Sequence, residues 1–276
     1  MSKMHHKNLD NYVTKIIQRN GIPGAALAII NNGQIMFKNY YGLAAIEYKI
    51  PVNDKTIFKL HSLTKIFVSV GIMQLIEQNL ISLDSKISNI FKNLPSNWHN
   101  VQIKHLLSHS SGLPDIGQYF TLPELEAKEK VFNEQIKFQP GERFDYCQTN
   151  YWLLKKTINK YSSLTIQEFL INNQFEPNSS NVLFCTASDI IPNVAREYRP
   201  NSLSQLKIVN YEIPEYLYGA TSLGMTLENM IKWDLNLQQN KLLNRKTKTK
   251  MLQEITYQKC NKHFSLGWEI FPDQKN

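Results

Sequence analysis

One stretch constrains this chain more than any other: Phe58-Lys59-Leu60-His61-Ser62-Leu63-Thr64-Lys65, followed by Ile66-Phe67-Val68-Ser69-Val70-Gly71-Ile72-Met73. The second half is apolar almost all round, which predicts a helix buried on every side, running to about Gln78. Its first turn carries a serine and a lysine three positions apart, and such residues share a helix face. A serine hydroxyl is a poor nucleophile until a neighbouring base takes its proton. A lysine serves as that base only when burial lowers its pKa, and this sequence places Lys65 at the head of a buried helix. The same spacing recurs at Ser204-Gln205-Leu206-Lys207 without an apolar helix behind it, where it reads as a surface loop.

The flanking segments define what surrounds that helix. Leu9, Val13, Ile16 and Ile17 stand at helical spacing, and Gly21-Ile22-Pro23-Gly24 ends the helix they predict. Ala25 to Ile30 reads as a buried strand, Asn31-Asn32-Gly33 as a hairpin turn, and Gln34 to Gly42 as the returning strand. Ile103-Lys104-His105-Leu106-Leu107-Ser108-His109 predicts a short helix ended by Gly112 and Pro114. His105 and His109 stand at i and i+4; such a pair either ligates a metal or packs structurally, and no third ligand is visible. Pro140-Gly141 predicts a turn before an extended approach through Tyr146 into a helix containing Trp152 to Ile158. Thr165 with Glu168 predicts a capping box, Thr226 a further N-cap, and Arg245 to Gln253 one more helix. Phe264 to Phe271 closes the chain with a strand pattern. Strand signal at both ends and helices between predict an α+β fold. Its α/β part is expected from 1–55 and 200–276, with a mainly helical part at 56–199, as one domain of 1–276.

Length and composition limit the function classes. The 276 residues suffice for a sizeable core, and 42% hydrophobic with 20% charged residues is globular composition. The net charge of +8 is scattered apart from Lys241, Arg245, Lys246, Lys248 and Lys250. No aromatic residues interleave with that cluster as a nucleic-acid stacking platform requires, so no nucleic-acid partner is expected. No apolar run reaches spanning length, so no transmembrane segment is expected. The N-terminal residues show no secretory leader, which gives a cytoplasmic expectation, or a periplasmic or secreted one if the N-terminus is incomplete. Cys147, Cys185 and Cys260 form neither a disulfide framework nor a metal pattern. Nothing in the sequence fixes an oligomeric state.

Taken together, these segments resemble the serine β-lactamase and penicillin-binding-protein-like hydrolases, in particular the class C β-lactamase and esterase branch. The resemblance runs nearly end to end. It is carried by Ile22-Pro23-Gly24-Ala25, Phe58 to Lys65, His105 to Pro114, Pro140 to Tyr146, Ile190 to Tyr198 and Leu266-Gly267-Trp268-Glu269. It implies a β-lactamase/transpeptidase-like fold with an antiparallel sheet from the N- and C-terminal parts and a helical insert. It also implies an acyl-enzyme mechanism with Ser62 as nucleophile and Lys65 as the group that helps deprotonate it. Tyr146 would relay a proton to the leaving group, with the Lys65 cation as the neighbour that favours its basic form. Gln148 takes the substrate-binding place of an asparagine, one methylene longer. The implied substrates are small molecules or peptidoglycan-derived: a β-lactam, an ester or a D-alanyl amide. No metal or organic cofactor is implied.

The family's third motif, Lys-Thr-Gly or His-x-Gly after the Gly-Trp-Glu segment, does not occur in the 276 residues. Lys246-Thr247-Lys248 and Lys248-Thr249-Lys250 lack the glycine and precede Gly267. The expectation is therefore a chain truncated at the C-terminus, without the closing strands and final helix. That leaves an alternative function: a catalytically impaired or inactive member that acts as a binding protein.

Overall fold

The computed structural model describes residues 3–176, 179, 181–186, 188–202 and 205–271, with only the backbone of 3–6. Ser204, the head of the second Ser-x-x-Lys match, lies outside the described residues. In chain order the first half contains α1 (Lys3–Arg19), β1 (Gly24–Asn31), β2 (Gln34–Ala45), β3 (Ile50–Pro51), β4 (Ile57–Lys59), α2 (Thr64–Glu77), α3 (Ile87–Ile90), α4 (Ile103–Leu107) and α5 (Glu124–Phe132). The second half contains α6 (Gln148–Ser162), α7 (Ile166–Gln174), β5 (Val182–Phe184), β6 (Tyr198–Pro200), β7 (Leu206–Ile208), β8 (Leu223–Thr226), α8 (Leu227–Gln238) and α9 (Arg245–Leu252). Among the described residues no helix is long and apolar enough to cross a membrane.

Two compact units share the chain. The first takes Met1–Leu60, Ser179–Glu212 and Leu223–Gln239. In it β1 and β2 form the hairpin, with Asn32 and Gly33 both at positive φ (49° and 74°), as a tight reversal between strands requires. Among the described residues the strands fall into three antiparallel sheets, ordered β1-β2-β3, β4-β8-β5 and β6-β7. The β4–β8 pairing joins Ile57, Phe58 and Lys59 to Thr226, Met225 and Gly224. Strand β1 pairs with β2 only, so its other edge carries no strand among the described residues. Beside it an apolar groove of about 370 Å³ is lined by Phe58, Leu60, Met225 and Met230 among others.

The second unit takes His61–Asn178, Ile213–Ser222 and Asn240–Asn276. Helix α2 packs against α6, α7 and α9. Phe67, Val68, Val70 and Ile72 have no exposed surface, which is what an all-apolar helix demands. Gly71 admits α7 and α6 closely: an added Cβ would stand 3.0 Å from Phe169 and 3.2 Å from Ile158. The Gln174 amide donates to the Phe67 carbonyl at 2.8 Å, fixing α7 against the same helix. The Thr165–Glu168 capping box opens α7, and the Thr226 side chain caps α8, both at the positions the sequence marks.

The strand expected over Phe264 to Phe271 is not formed. The segment is a sharp reversal with one antiparallel bridge, Phe264 to Glu269. Gly267 at φ +101° turns the chain, and the Ser265 N–H donates to the Trp268 carbonyl at 2.8 Å. An added Cβ at Gly267 would lie 2.1 Å from Ser69 Oγ, so the turn seats its bare backbone on α2. Apolar alternation in this segment serves a docked turn rather than a sheet.

Candidate active site

The site is assembled in the helical unit from three separate parts of its sequence. Ser62 lies in a 3-10 turn, His61–Leu63, that runs directly into α2. His61 before it adopts φ +47°, a left-handed conformation that reverses the chain and leaves Ser62 exposed. Lys65, one turn later, is only 4% exposed. Its Nζ lies 3.3 Å from Ser62 Oγ and donates to the Ala220 carbonyl at 2.7 Å. That carbonyl comes within reach because Gly219 packs on α6, where an added Cβ would stand 2.6 Å from the Tyr151 carbonyl oxygen. Tyr146 approaches from the loop before α6, and its hydroxyl donates to Ser62 Oγ at 2.8 Å. The lysine ammonium also stands over the Tyr146 and Tyr151 rings, at 4.7 and 5.4 Å from their centroids.

Burial dominates the electrostatics. Desolvation brings the Lys65 pKa from 10.5 down to about 7, against smaller upward pulls from Asp115 and Cys147. Desolvation also raises the Tyr146 hydroxyl above its ordinary value; its bond to Ser62 opposes this, and Asp115 adds to it. For Tyr146 burial is the largest influence, and it acts against ionisation of the phenol. Tyr146 is the donor in the hydrogen bond to Ser62, and Lys65 is the amine whose charge burial disfavours.

Gln148 is not bonded to this cluster. It opens α6, and its backbone N–H donates to Asp115 Oδ1 at 2.9 Å. Its Cγ packs on Gly117, where an added Cβ would lie 2.7 Å away. Its Oε1 is buried and has no hydrogen-bond partner among the described residues. The two histidines pack separately. Helix α4 ends at Leu107, and His109 beyond it has φ +53°, so the two do not share a helix face. His105 Nδ1 accepts the Gln102 N–H, and His109 Nδ1 accepts the Cys147 N–H. The roles of Ala220 and Asp115 carried no signal in the sequence, because each depends on a contact between distant segments. A separate cleft of about 310 Å³ in the first unit, lined by Lys59, Asp189 and Glu197 among others, contains none of the cluster residues.

The sequence pattern of the Beta-lactamase family matches residues 9–274. This chain belongs to the Beta-lactamase family. Penicillin-binding protein 4* of Bacillus subtilis is 26% identical over 227 residues, covering 79% of this chain and 50% of that protein. A beta-lactamase of Yersinia enterocolitica is 24% identical over 272 residues, covering 95% and 68%. The fold is shared with D-amino acid amidase from Ochrobactrum anthropi SV3, at TM-score 0.82 and 20% identity, covering 97% of this chain and 82% of that one. This Beta-lactamase family chain thus spans half the length of the Bacillus relative. The resemblance read from its motifs holds at family level, and the fold is the α+β fold of penicillin-binding-protein homologues.

Proposed function

We propose that this chain is a serine hydrolase of the class C β-lactamase and esterase branch, working through an acyl-enzyme on Ser62. One observation carries the proposal: Ser62 Oγ stands between a buried lysine amine at 3.3 Å and a tyrosine hydroxyl at 2.8 Å. In its neutral form the Lys65 amine accepts the Ser62 proton as Oγ attacks the carbonyl carbon of a β-lactam, ester or D-alanyl amide. The C–O or C–N bond to the leaving group then breaks, and Tyr146, already a donor, supplies the proton that the leaving group takes. The amino end of α2 favours the negative charge that develops on the carbonyl oxygen. Water then hydrolyses the acyl ester, with the same groups returning their protons. No step draws on a cofactor.

A fluorescent penicillin or a fluorophosphonate tests this reading. It should label the wild type covalently and leave Ser62→Ala unlabelled; equal labelling of both removes Ser62 from the role. A second reading, a binding protein without turnover, is favoured by Gln148, whose side chain packs on Gly117 and makes no bond to the cluster. Steady-state hydrolysis of nitrocefin or an ester by folded protein, well above the Ser62→Ala background, excludes it.

A further inference from the structure

We propose that His109 is the positioning residue for Tyr146. The inference rests on the Ser62–Lys65–Tyr146 reading above and goes beyond it by naming what fixes the tyrosine.

Tyr146 is 42% exposed, and it belongs to a loop rather than to a helix or strand. Its hydroxyl must nevertheless stay within hydrogen-bond reach of Ser62, and a misplacement of about 1 Å in such a group costs about a hundredfold in rate. One residue holds both sides of it. The His109 carbonyl accepts the Asp145 N–H at 2.8 Å, and His109 Nδ1 accepts the Cys147 N–H at 3.2 Å. These two amides flank Tyr146. The imidazole also lies against the tyrosine ring, with centroids 4.4 Å apart and planes inclined by 31°. Its other neighbours include Tyr151 at 5.2 Å and Phe144 at 5.7 Å. The left-handed backbone at His109 is what allows its carbonyl and its ring to reach the same loop.

The imidazole is itself oriented. Ser111 Oγ donates to Asn150 Oδ1, which turns the Asn150 amide nitrogen toward His109 Nδ1 at 3.1 Å. Nδ1 therefore receives two N–H groups and is an acceptor, which puts the ring proton on Nε2. His109 has no exposed surface, and its Nε2 has no hydrogen-bond partner among the described residues. A second proton on the ring would stand where both N–H groups point, close to the Lys65 charge. His109 thus fixes Tyr146 without adding charge to the site.

A residue that merely filled the core would be equally sensitive to any polar replacement. A positioning residue is not, which sets the test. His109→Asn places Oδ1 where Nδ1 stands and tolerates the positive φ; His109→Gln places its polar end near Nε2 instead and loses the Cys147 bond. Expected are a kcat for His109→Gln about a hundredfold below wild type with KM little changed, and recovery of most of that loss in His109→Asn. The rate of Ser62 labelling by the fluorophosphonate should follow the same order. Wild-type labelling by His109→Gln, or equal loss in both variants, overturns the inference. A wild type that does not label at all sinks the acyl-enzyme reading instead. The crystal structure of His109→Gln then decides this inference: Tyr146 displaced from Ser62 supports it, and Tyr146 still bonded to Ser62 overturns it. If His109→Gln does not fold, Ser111→Ala, which frees Asn150 and also removes the acceptor of the Leu113 N–H, takes its place. A several-fold fall in kcat at constant KM supports the inference, and an unchanged kcat overturns it.

Discussion

In the proposed acyl-enzyme reading Lys65 is the base, because burial brings its pKa down to about 7. With its pKa at about 7, the labelling rate of Ser62 should rise as pH increases through 7 and level off above it. A rate flat from pH 5.5 to 9 contradicts that assignment. The same burial has a thermodynamic side. Above about 10.5 both folded and unfolded lysine are neutral and nothing is lost. As pH falls the unfolded lysine takes its proton first, so the penalty on folding grows down to about 7 and is constant below that. Lys65→Met should therefore be inactive yet more stable at pH 7. The gain is on the order of 3 kcal/mol once the lost bond to Ala220 is counted, closing toward pH 10.5 in denaturant titrations. The Ser62–Lys65 pairing was legible because its context is local, a helix-face spacing ahead of an apolar run; Tyr146 came only with the family resemblance, and its hydroxyl lies 2.8 Å from Ser62 Oγ. Gln148 was legible as a position but not as a conformation, since its side chain is placed by Gly117, which the local sequence does not pair with it.

At the scale of elements, local signals carried furthest where they act within one turn. The Asn-Asn-Gly reversal, the Thr165 capping box and the all-apolar α2 each follow from chemistry inside a few residues. The segment at 264–271 did not follow, because alternation alone does not separate a strand from a docked turn; the backbone seat of Gly267 on Ser69 decides it. Gly267→Ala tests that account. A methyl group 2.1 Å from Ser69 Oγ, on a residue at φ +101°, has to push the turn off α2. The expected cost is about 3 kcal/mol, seen as a lower denaturation midpoint at unchanged slope. A variant within about 0.5 kcal/mol of wild type would show that the turn yields without consequence. The β4–β8 pairing was equally out of reach, because short strands far apart in the chain state no preference for each other.

For the molecule as a whole, the family and α+β class were legible from motifs spread along the chain. The grouping of segments into two compact units was not, because it depends on which distant residues meet. The +8 charge opposes self-association at neutral pH, and that repulsion fades as pH approaches the pI of about 9.2. The outer edge of β1 is then the place where strand addition between copies is expected. Residues 24–31, Gly-Ala-Ala-Leu-Ala-Ile-Ile-Asn, carry no charge and no proline along an edge that no strand pairs among the described residues. Such an edge is a template for growth by strand addition. Near pH 9, light scattering should rise after a lag that shortens with protein concentration and with added preformed particles. Ala28→Lys, beside Lys38 in the β1–β2 register, should lengthen that lag. The shelf life of this protein is thus a nucleation problem set by one strand, separate from the cluster around Ser62.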